Sequence, residues 1–186
     1  MEKTWGIVLG SVHLPGGKTV VRIFTEARGT VPFIVHGTHN KTAAVRPLLL
    51  MPLHVVEIDY EHHEGRELQT LKELQLRWQY TTIPYDPLKQ TMALFLAEFL
   101  THALRREGKN TALLQYVTEA LRYLDEAQRD FTSMHVEMLR GVADFLGYGT
   151  PQLQEMSLPE LVAYYRETIP EFPALSSLAV LHDVLR

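Results

Sequence analysis

Residues 83–87, Ile-Pro-Tyr-Asp-Pro, divide the sequence into two parts with different hydrophobic periods. Before them, apolar and polar residues alternate in short runs, which is the period of a β-strand. After them, apolar residues recur at three- and four-residue spacings, which is the period of a helix. Asp86 suits the N-cap of a first helix, and Pro87 suits its first turn. The sequence therefore predicts an α+β protein with a β domain at residues 1–82 and an all-helical domain at 83–186.

The first part contains five candidate strands, at residues 4–12, 19–25, 30–36, 53–60 and 68–78. Helix formers in ELQTLKELQLRW make a helix a competing prediction for residues 67–78, but Leu74, Leu76 and Trp78 keep a period of two. Five short strands fit a small closed barrel, and the oligonucleotide-binding (OB) fold is the commonest five-stranded barrel. The pattern alone leaves an SH3-like barrel open as an alternative.

The second part predicts a bundle of helices. Apolar stripes run through residues 88–103, 113–124 and 134–146. A fourth helix is predicted after Ser157, and a fifth is predicted at residues 177–185. Ser157 and Glu160 have the spacing of a capping box. The stripes, which include Phe145, are interpreted as core. The acidic pair Asp125-Glu126 is interpreted as a solvated helix end.

Positive charge is concentrated near the start of the chain. The protein has a net charge of −4, yet residues 1–50 contain six Lys or Arg against Glu2 and Glu26 only. The first fifty residues therefore have a net charge of +4, and the remainder of the chain is acidic. An acidic protein can still bind an anion through one local basic patch.

Several functional classes are not supported by the composition. The chain has no cysteine, which excludes disulfides and thiolate zinc sites and fits a cytoplasmic protein. No run of apolar residues is long enough to span a membrane. The opening Met-Glu-Lys-Thr-Trp lacks the basic region and apolar core of a secretory signal. We expect a cytoplasmic protein without a membrane-spanning segment.

No motif in the chain indicates catalysis. The segment LPGGKT ends like a phosphate-binding loop, but Val12 stands where the first glycine is needed, and the segment connects two strands. A hairpin turn explains it better. The histidine pairs His36/His39 and His62/His63 lie in loops and are interpreted as solvated residues. With no Gly-x-Ser-x-Gly motif either, we expect a protein that is not an enzyme and has no metal or cofactor.

The order of several segments resembles one family. Five segments resemble the bacterial recombination mediator RecO, most closely its Bacteroidetes-type members. In chain order they are GIVLGSV, TVVRIFTEARGTVPFIVHGTHNKT, RPLLLMPLHVVEIDY, IPYDPLKQTMALFLAEFL and FLGYGTP. The resemblance implies an OB fold, a helical domain and no catalysis. It implies binding to single- and double-stranded DNA, strand annealing, and RecA loading with RecR, in some lineages also RecF, on DNA coated by single-stranded DNA-binding protein. A nucleoid-associated, cytoplasmic location follows.

The chain departs from the family pattern in two places. It lacks the four-cysteine module of many members, and it passes from Gly149-Thr150-Pro151 almost directly to the terminal helices, which implies a shortened helical domain. The loop that by resemblance faces phosphates has His36 and His39 where many members have fixed cations, and Gly37 would allow close approach. Histidine, with an ordinary pKa of about 6.5, is a conditional cation.

Two sets of binding residues are predicted. The DNA-binding set on the barrel is Lys18, Arg22, Arg28, His36, Gly37, His39, Lys41 and Arg46. By resemblance, the helical domain receives the acidic tail of single-stranded DNA-binding protein, and the candidate cations for its carboxylate are Arg105, Arg106, Arg122 and Arg140.

Aromatic residues and a second class of function leave alternatives open. Trp5, Phe24 and Phe33 could stack on bases, but core positions are the competing interpretation. The alternative function is a protein–protein adaptor, in which the barrel binds a partner subunit and has little affinity for DNA. The acidic helical half favours that alternative.

Overall fold

The computed structural model describes residues 1–36 and 47–185. Two compact units can be distinguished in it. The first contains Met1–Gln79 and Leu104–Leu114, and the second contains Tyr80–Ala103 and the chain from Gln115 onward. The boundary expected between residues 82 and 83 stays a prediction, since a short segment after the first helix groups with the β part.

The first unit is a closed five-stranded barrel. Its strands are β1 (Glu2–Leu14), β2 (Lys18–Thr25), β3 (Gly29–Val35), β4 (Val55–Glu61) and β5 (Gln69–Leu76). They are ordered β1-β2-β3-β5-β4 and close into a barrel. All neighbours are antiparallel except β3 and β5, which are parallel. The OB-fold prediction is confirmed, and residues 69–76 form a strand where a helix was the competitor.

Alternating side chains fill the barrel. The core consists of Val8, Val21, Ile23, Phe33, Val35, Leu50, Val56, Ile58, Tyr60, Leu71 and Leu74. The rings of Phe33 and Tyr60 meet edge to face, with centroids 5.2 Å apart. Phe33 and Phe24 are both fully buried, so the core interpretation is confirmed for these two residues and the stacking alternative is excluded. The partly exposed Trp5 has the guanidinium of Arg77 4.3 Å from its ring.

Barrel closure depends on a short parallel contact. Phe33 pairs with Gln69 and Ile34 with Thr70. Gln69 is buried, and its amide oxygen accepts a hydrogen bond from His63 N at 2.7 Å. Its amide nitrogen donates to the carbonyls of His63 and Arg66. One side chain therefore fixes the β4–β5 loop where β5 joins β3.

The second unit is formed mainly by five helices. They are α1 (Pro87–Ala103), α2 (Thr111–Glu126), α3 (Met134–Phe145), α4 (Leu158–Thr168) and α5 (Ser177–Val184). The first residues of α2 group with the barrel unit. The predicted caps are confirmed: Asp86 Oδ1 accepts from Leu88 N at 2.9 Å, and Ser157 with Glu160 forms a capping box.

Two predictions about the helices are wrong. Phe145 was placed in a buried stripe, but it is 40% exposed. Asp125 was interpreted as solvated, but it is buried, and its carboxylate accepts from the backbone N–H groups of Thr81 and Thr82, each at 2.8 Å. The end of α2 is covered by a turn that is distant in sequence, which a helical pattern does not reveal.

A carboxylate at the start of α5 gives a test of this packing. Glu98 on α1 accepts hydrogen bonds from Ser176 N at 2.9 Å and Ser177 N at 2.8 Å, and from both hydroxyls. Burial raises the pKa of Glu98, but the hydrogen bonds from Ser177 and Ser176 outweigh it and lower the pKa from 4.5 to about 2. The ionised form is therefore the stabilising one.

We expect Glu98→Gln to reduce the free energy of unfolding at pH 7 by about 1–2 kcal/mol, because charge-assisted hydrogen bonds are lost. A lowered pKa stabilises above the unfolded value, so the difference from the parent should shrink as pH falls from about 4.5 toward 2. Urea unfolding at a series of pH values measures this difference in the free energy of unfolding. Glu167→Gln, at an exposed position of α4, is the control; a pH-independent Glu98→Gln effect would contradict the assignment.

Candidate nucleic-acid interface

The alternation of β2 places Arg22 on the outside of the barrel. Its neighbours Val21 and Ile23 are fully buried in the core, and successive side chains of a strand point to opposite faces. Arg22 pairs with Gly10 of β1 and Pro32 of β3. Lys18, at the start of the same strand, is exposed.

The segment Leu104–Leu114 lies beside the start of β3, within the same unit. Thr30 N donates to Glu107 O at 2.9 Å, and Thr30 Oγ1 donates to Leu104 O at 2.6 Å. The approach is close because Gly29 has no side chain: a Cβ there would lie 2.2 Å from the carbonyl carbon of Gly108. These contacts bring Arg105 and Arg106 to the barrel.

Arginines from β2 and from the Leu104–Leu114 segment line one pocket of about 580 Å³. This pocket, here called the arginine pocket, is lined by Arg22, Thr30, Val31, Pro32, Glu67, Arg105 and Arg106. Three arginines and one glutamate are thus among the residues that line this pocket. The pocket is formed by β2, β3, the β4–β5 loop and the Leu104–Leu114 segment. In OB folds the face of strands 2 and 3 and the β4–β5 loop bind oligonucleotides, so charge and position agree.

The other predicted DNA-binding residues are placed differently. Arg28 lies in the β2–β3 turn, where its guanidinium donates to the Glu2 carboxylate at 3.0 Å and to Tyr60 Oη at 3.2 Å. His36 is exposed directly after β3. Gly37, His39, Lys41 and Arg46 lie outside the described residues. Of the members of this set that the structure describes, Arg22 is the one that lines the arginine pocket.

The four arginines predicted to hold the acidic tail do not form one cluster. Arg105 and Arg106 line the arginine pocket. Arg140 donates to Leu153 O at 2.9 Å and Met156 O at 3.1 Å, so it holds the chain after α3 in place. Arg122 is exposed on α2, 4.0 Å from Glu126.

Sequence reasoning did not connect Arg22 with Arg105 and Arg106. They are more than eighty positions apart, and the contact follows from Thr30 and Gly29, which form part of a strand pattern and a turn. The two consecutive arginines that follow α1, Arg105 and Arg106, were the sequence feature that could have indicated a basic site. Their assignment to the helical part separated them from the barrel.

A second pocket, of about 310 Å³, has the opposite charge. It lies on β1, β4 and β5 and is lined by Lys3, Thr4, Trp5, Glu26, Glu57, Ile58, Asp59, Glu73, Gln75 and Arg77. Four carboxylates face two cations there. Lys3 forms an ion pair with Asp59 at 2.9 Å and Arg77 one with Glu57 at 3.9 Å, so the excess negative charge comes from Glu26 and Glu73. This surface, here called the acidic pocket, suits a cationic partner.

The described residues contain neither a metal-binding cluster nor a helix that could span a membrane. Within residues 1–36 and 47–185, no group of three His, Asp or Glu side chains is arranged to hold a metal ion. No helix in that part of the chain has the length and apolar character needed to cross a membrane. Gly16 and Gly17 have φ values of 82° and 73° in the turn between β1 and β2, so the prediction of a hairpin turn at LPGGKT is confirmed.

The structure is thus an OB barrel with arginines on its β2–β3 face, the face that binds oligonucleotides or oligosaccharides in other OB folds. Residues 1–80 match the family described as Recombination protein O N terminal, and residues 84–156 match Recombination protein O C terminal. The chain belongs to the RecO family, as its resemblance predicted.

Similar proteins come from Bacteroidetes. The protein named DNA repair protein RecO in Phocaeicola vulgatus is 35% identical over 147 residues, which cover 79% of this chain and 61% of the relative. The Bacteroides fragilis protein of the same name gives the same values. That of Flavobacterium johnsoniae is 28% identical over 158 residues, covering 84% of this chain and 66% of the relative. The chain thus spans about three fifths of the first two relatives.

Gly29 gives a test of the contact that builds the arginine pocket. Its φ is 78°, so Gly29→Ala costs about 1–2 kcal/mol for the left-handed backbone alone, and the Cβ would also collide with Gly108. Gly16→Ala is the matched control, because Gly16 has a similar φ of 82° and nothing within 4 Å of an added Cβ. Chemical denaturation should show the larger loss for Gly29→Ala; equal losses would contradict the contact.

Proposed function

We propose that this chain acts in DNA repair and recombination as a mediator whose barrel binds single- and double-stranded DNA through the arginine pocket. The observation that carries the proposal is the convergence of Arg22, Arg105 and Arg106 on one pocket of the OB barrel. Membership of the RecO family supports a repair role. The names of the relatives, DNA repair protein RecO, support the same role.

The proposed binding is mainly electrostatic. Guanidinium groups bind phosphate oxygens in bidentate geometry, and a local positive site can attract DNA to a protein whose net charge is −4. The proposed surface also includes Lys18 at the start of β2, Arg28 in the β2–β3 turn and His36 after β3. Gly37, His39, Lys41 and Arg46 are included from the sequence and the family resemblance alone. Since such contacts read the backbone, binding should depend weakly on base sequence.

The finer parts of the proposal come from the family resemblance. We propose that the protein promotes strand annealing and, with RecR, loads RecA on DNA coated by single-stranded DNA-binding protein, with RecF as a possible further partner. No catalytic step is assigned to the chain. Its work is binding, in a cytoplasmic, nucleoid-associated location, without metal or cofactor.

The second candidate is a protein–protein adaptor. It is favoured by the acidic pocket, where Glu26, Glu57, Asp59 and Glu73 outnumber two cations on the barrel surface. A partner with a basic segment would fit this charge. The adaptor function predicts that DNA binding is weak at every salt concentration, so the following titration distinguishes the two.

We expect the logarithm of DNA affinity to fall against the logarithm of salt concentration with a slope of about −3 to −5 on duplex, if three to five phosphates are neutralised. Charge reversal by Arg22→Glu or Arg105→Glu should weaken binding of all sequences and reduce the slope by about 1 or more for each change. Filter binding with oligonucleotides measures both. Arg129→Glu, at an exposed site in the α2–α3 connection, is the control. A flat salt response would contradict DNA binding.

We also expect an acidic peptide with a hydrophobic end, the tail of single-stranded DNA-binding protein, to bind the helical part. Arg122→Glu should lower the affinity for the peptide, because it removes an exposed cation. Fluorescence anisotropy with a labelled peptide measures binding, and competition with an oligonucleotide tests Arg105 and Arg106, which would then serve both ligands. Absence of binding at high micromolar peptide would reject the tail proposal and leave the DNA proposal intact.

A further inference from the structure

Among the described residues that line the arginine pocket, Glu67 is the one acid. It is exposed on the β4–β5 loop, and this loop is fixed by Gln69, whose side chain bonds to His63 and Arg66 on either side of the turn. The backbone just before Glu67 is therefore held in place by the side chain of Gln69, and Glu67 lines the pocket from this loop.

A carboxylate and a phosphate compete for the same partners. Both present paired oxygens to the planar fork of an arginine, and both are bound through charge-assisted hydrogen bonds. A pocket lined by three arginines and one glutamate has a smaller positive charge than the arginines alone would give it. An incoming phosphate must compete with Glu67 and also meets its repulsion, since like charges at short range oppose binding.

We infer that Glu67 is an internal counter-ion of the arginine pocket, which lowers the affinity for DNA phosphates and keeps binding reversible. The inference rests on the proposed function of the pocket. A mediator that delivers a strand to another protein has to release it, and a fixed carboxylate beside the phosphate site favours release. The ligand is the phosphodiester backbone, so the effect should extend to all base sequences.

The test is the pair Glu67→Gln and Glu64→Gln. Both remove one negative charge from an exposed position of the same loop, but only Glu67 lines the pocket. Glu67→Gln should bind oligonucleotides of every sequence about three- to tenfold more tightly at low salt, with a salt slope steeper by about 1. Glu64→Gln should stay within about twofold of the parent. Thermal unfolding of each variant verifies that the barrel is retained.

A double-mutant cycle separates this inference from the proposed function. In an Arg22→Gln, Arg105→Gln background, the tightening by Glu67→Gln should disappear, because the effect acts through those cations. If the arginine variants bind DNA like the parent, the pocket is not the DNA site and both proposals fail. If they weaken binding but Glu67→Gln matches Glu64→Gln, only the counter-ion role fails. A loss of affinity confined to cytosine-containing strands would instead show that Glu67 reads a base amino group and would also overturn it.

Discussion

Closure of the barrel through two parallel pairs, Phe33 with Gln69 and Ile34 with Thr70, is the constraint from which the site follows. A five-stranded sheet left open between β3 and β5 would expose two edges with unpaired backbone groups. Gln69 supports this closure, because its buried side chain hydrogen-bonds three backbone groups of the loop that precedes β5. The same closure places the β4–β5 loop, and with it Glu67, beside β2 and β3.

The helical unit depends on a comparable polar centre. The carboxylate of Asp125 accepts the backbone N–H groups of residues 81–83. Lys89, also buried, donates from Nζ to Asp125 O at 2.9 Å and Ala127 O at 2.6 Å. The hydrogen bonds from Ile83, Thr81 and Thr82 lower the pKa of Asp125, although burial acts in the opposite direction. Two buried charged residues are thus accommodated because each is fully hydrogen-bonded.

The charged residues of this protein are distributed unevenly over the surface of the barrel. The chain is acidic as a whole, yet one pocket of the barrel has three arginines against one glutamate, and another has four acids against two cations. Two surfaces of opposite charge therefore lie on one small barrel. A single net charge would hide both.

The periods of the hydrophobic residues determined the α+β class, the five strands and the helix caps, since these depend on neighbours close in sequence. The order of family segments identified the RecO family. Tertiary structure alone decided that Asp125 is buried beneath a turn. It also brought Arg105 to Arg22 through the contact of Thr30 with Leu104. Such contacts join residues that no local period relates, because they are set by how strands close and segments pack.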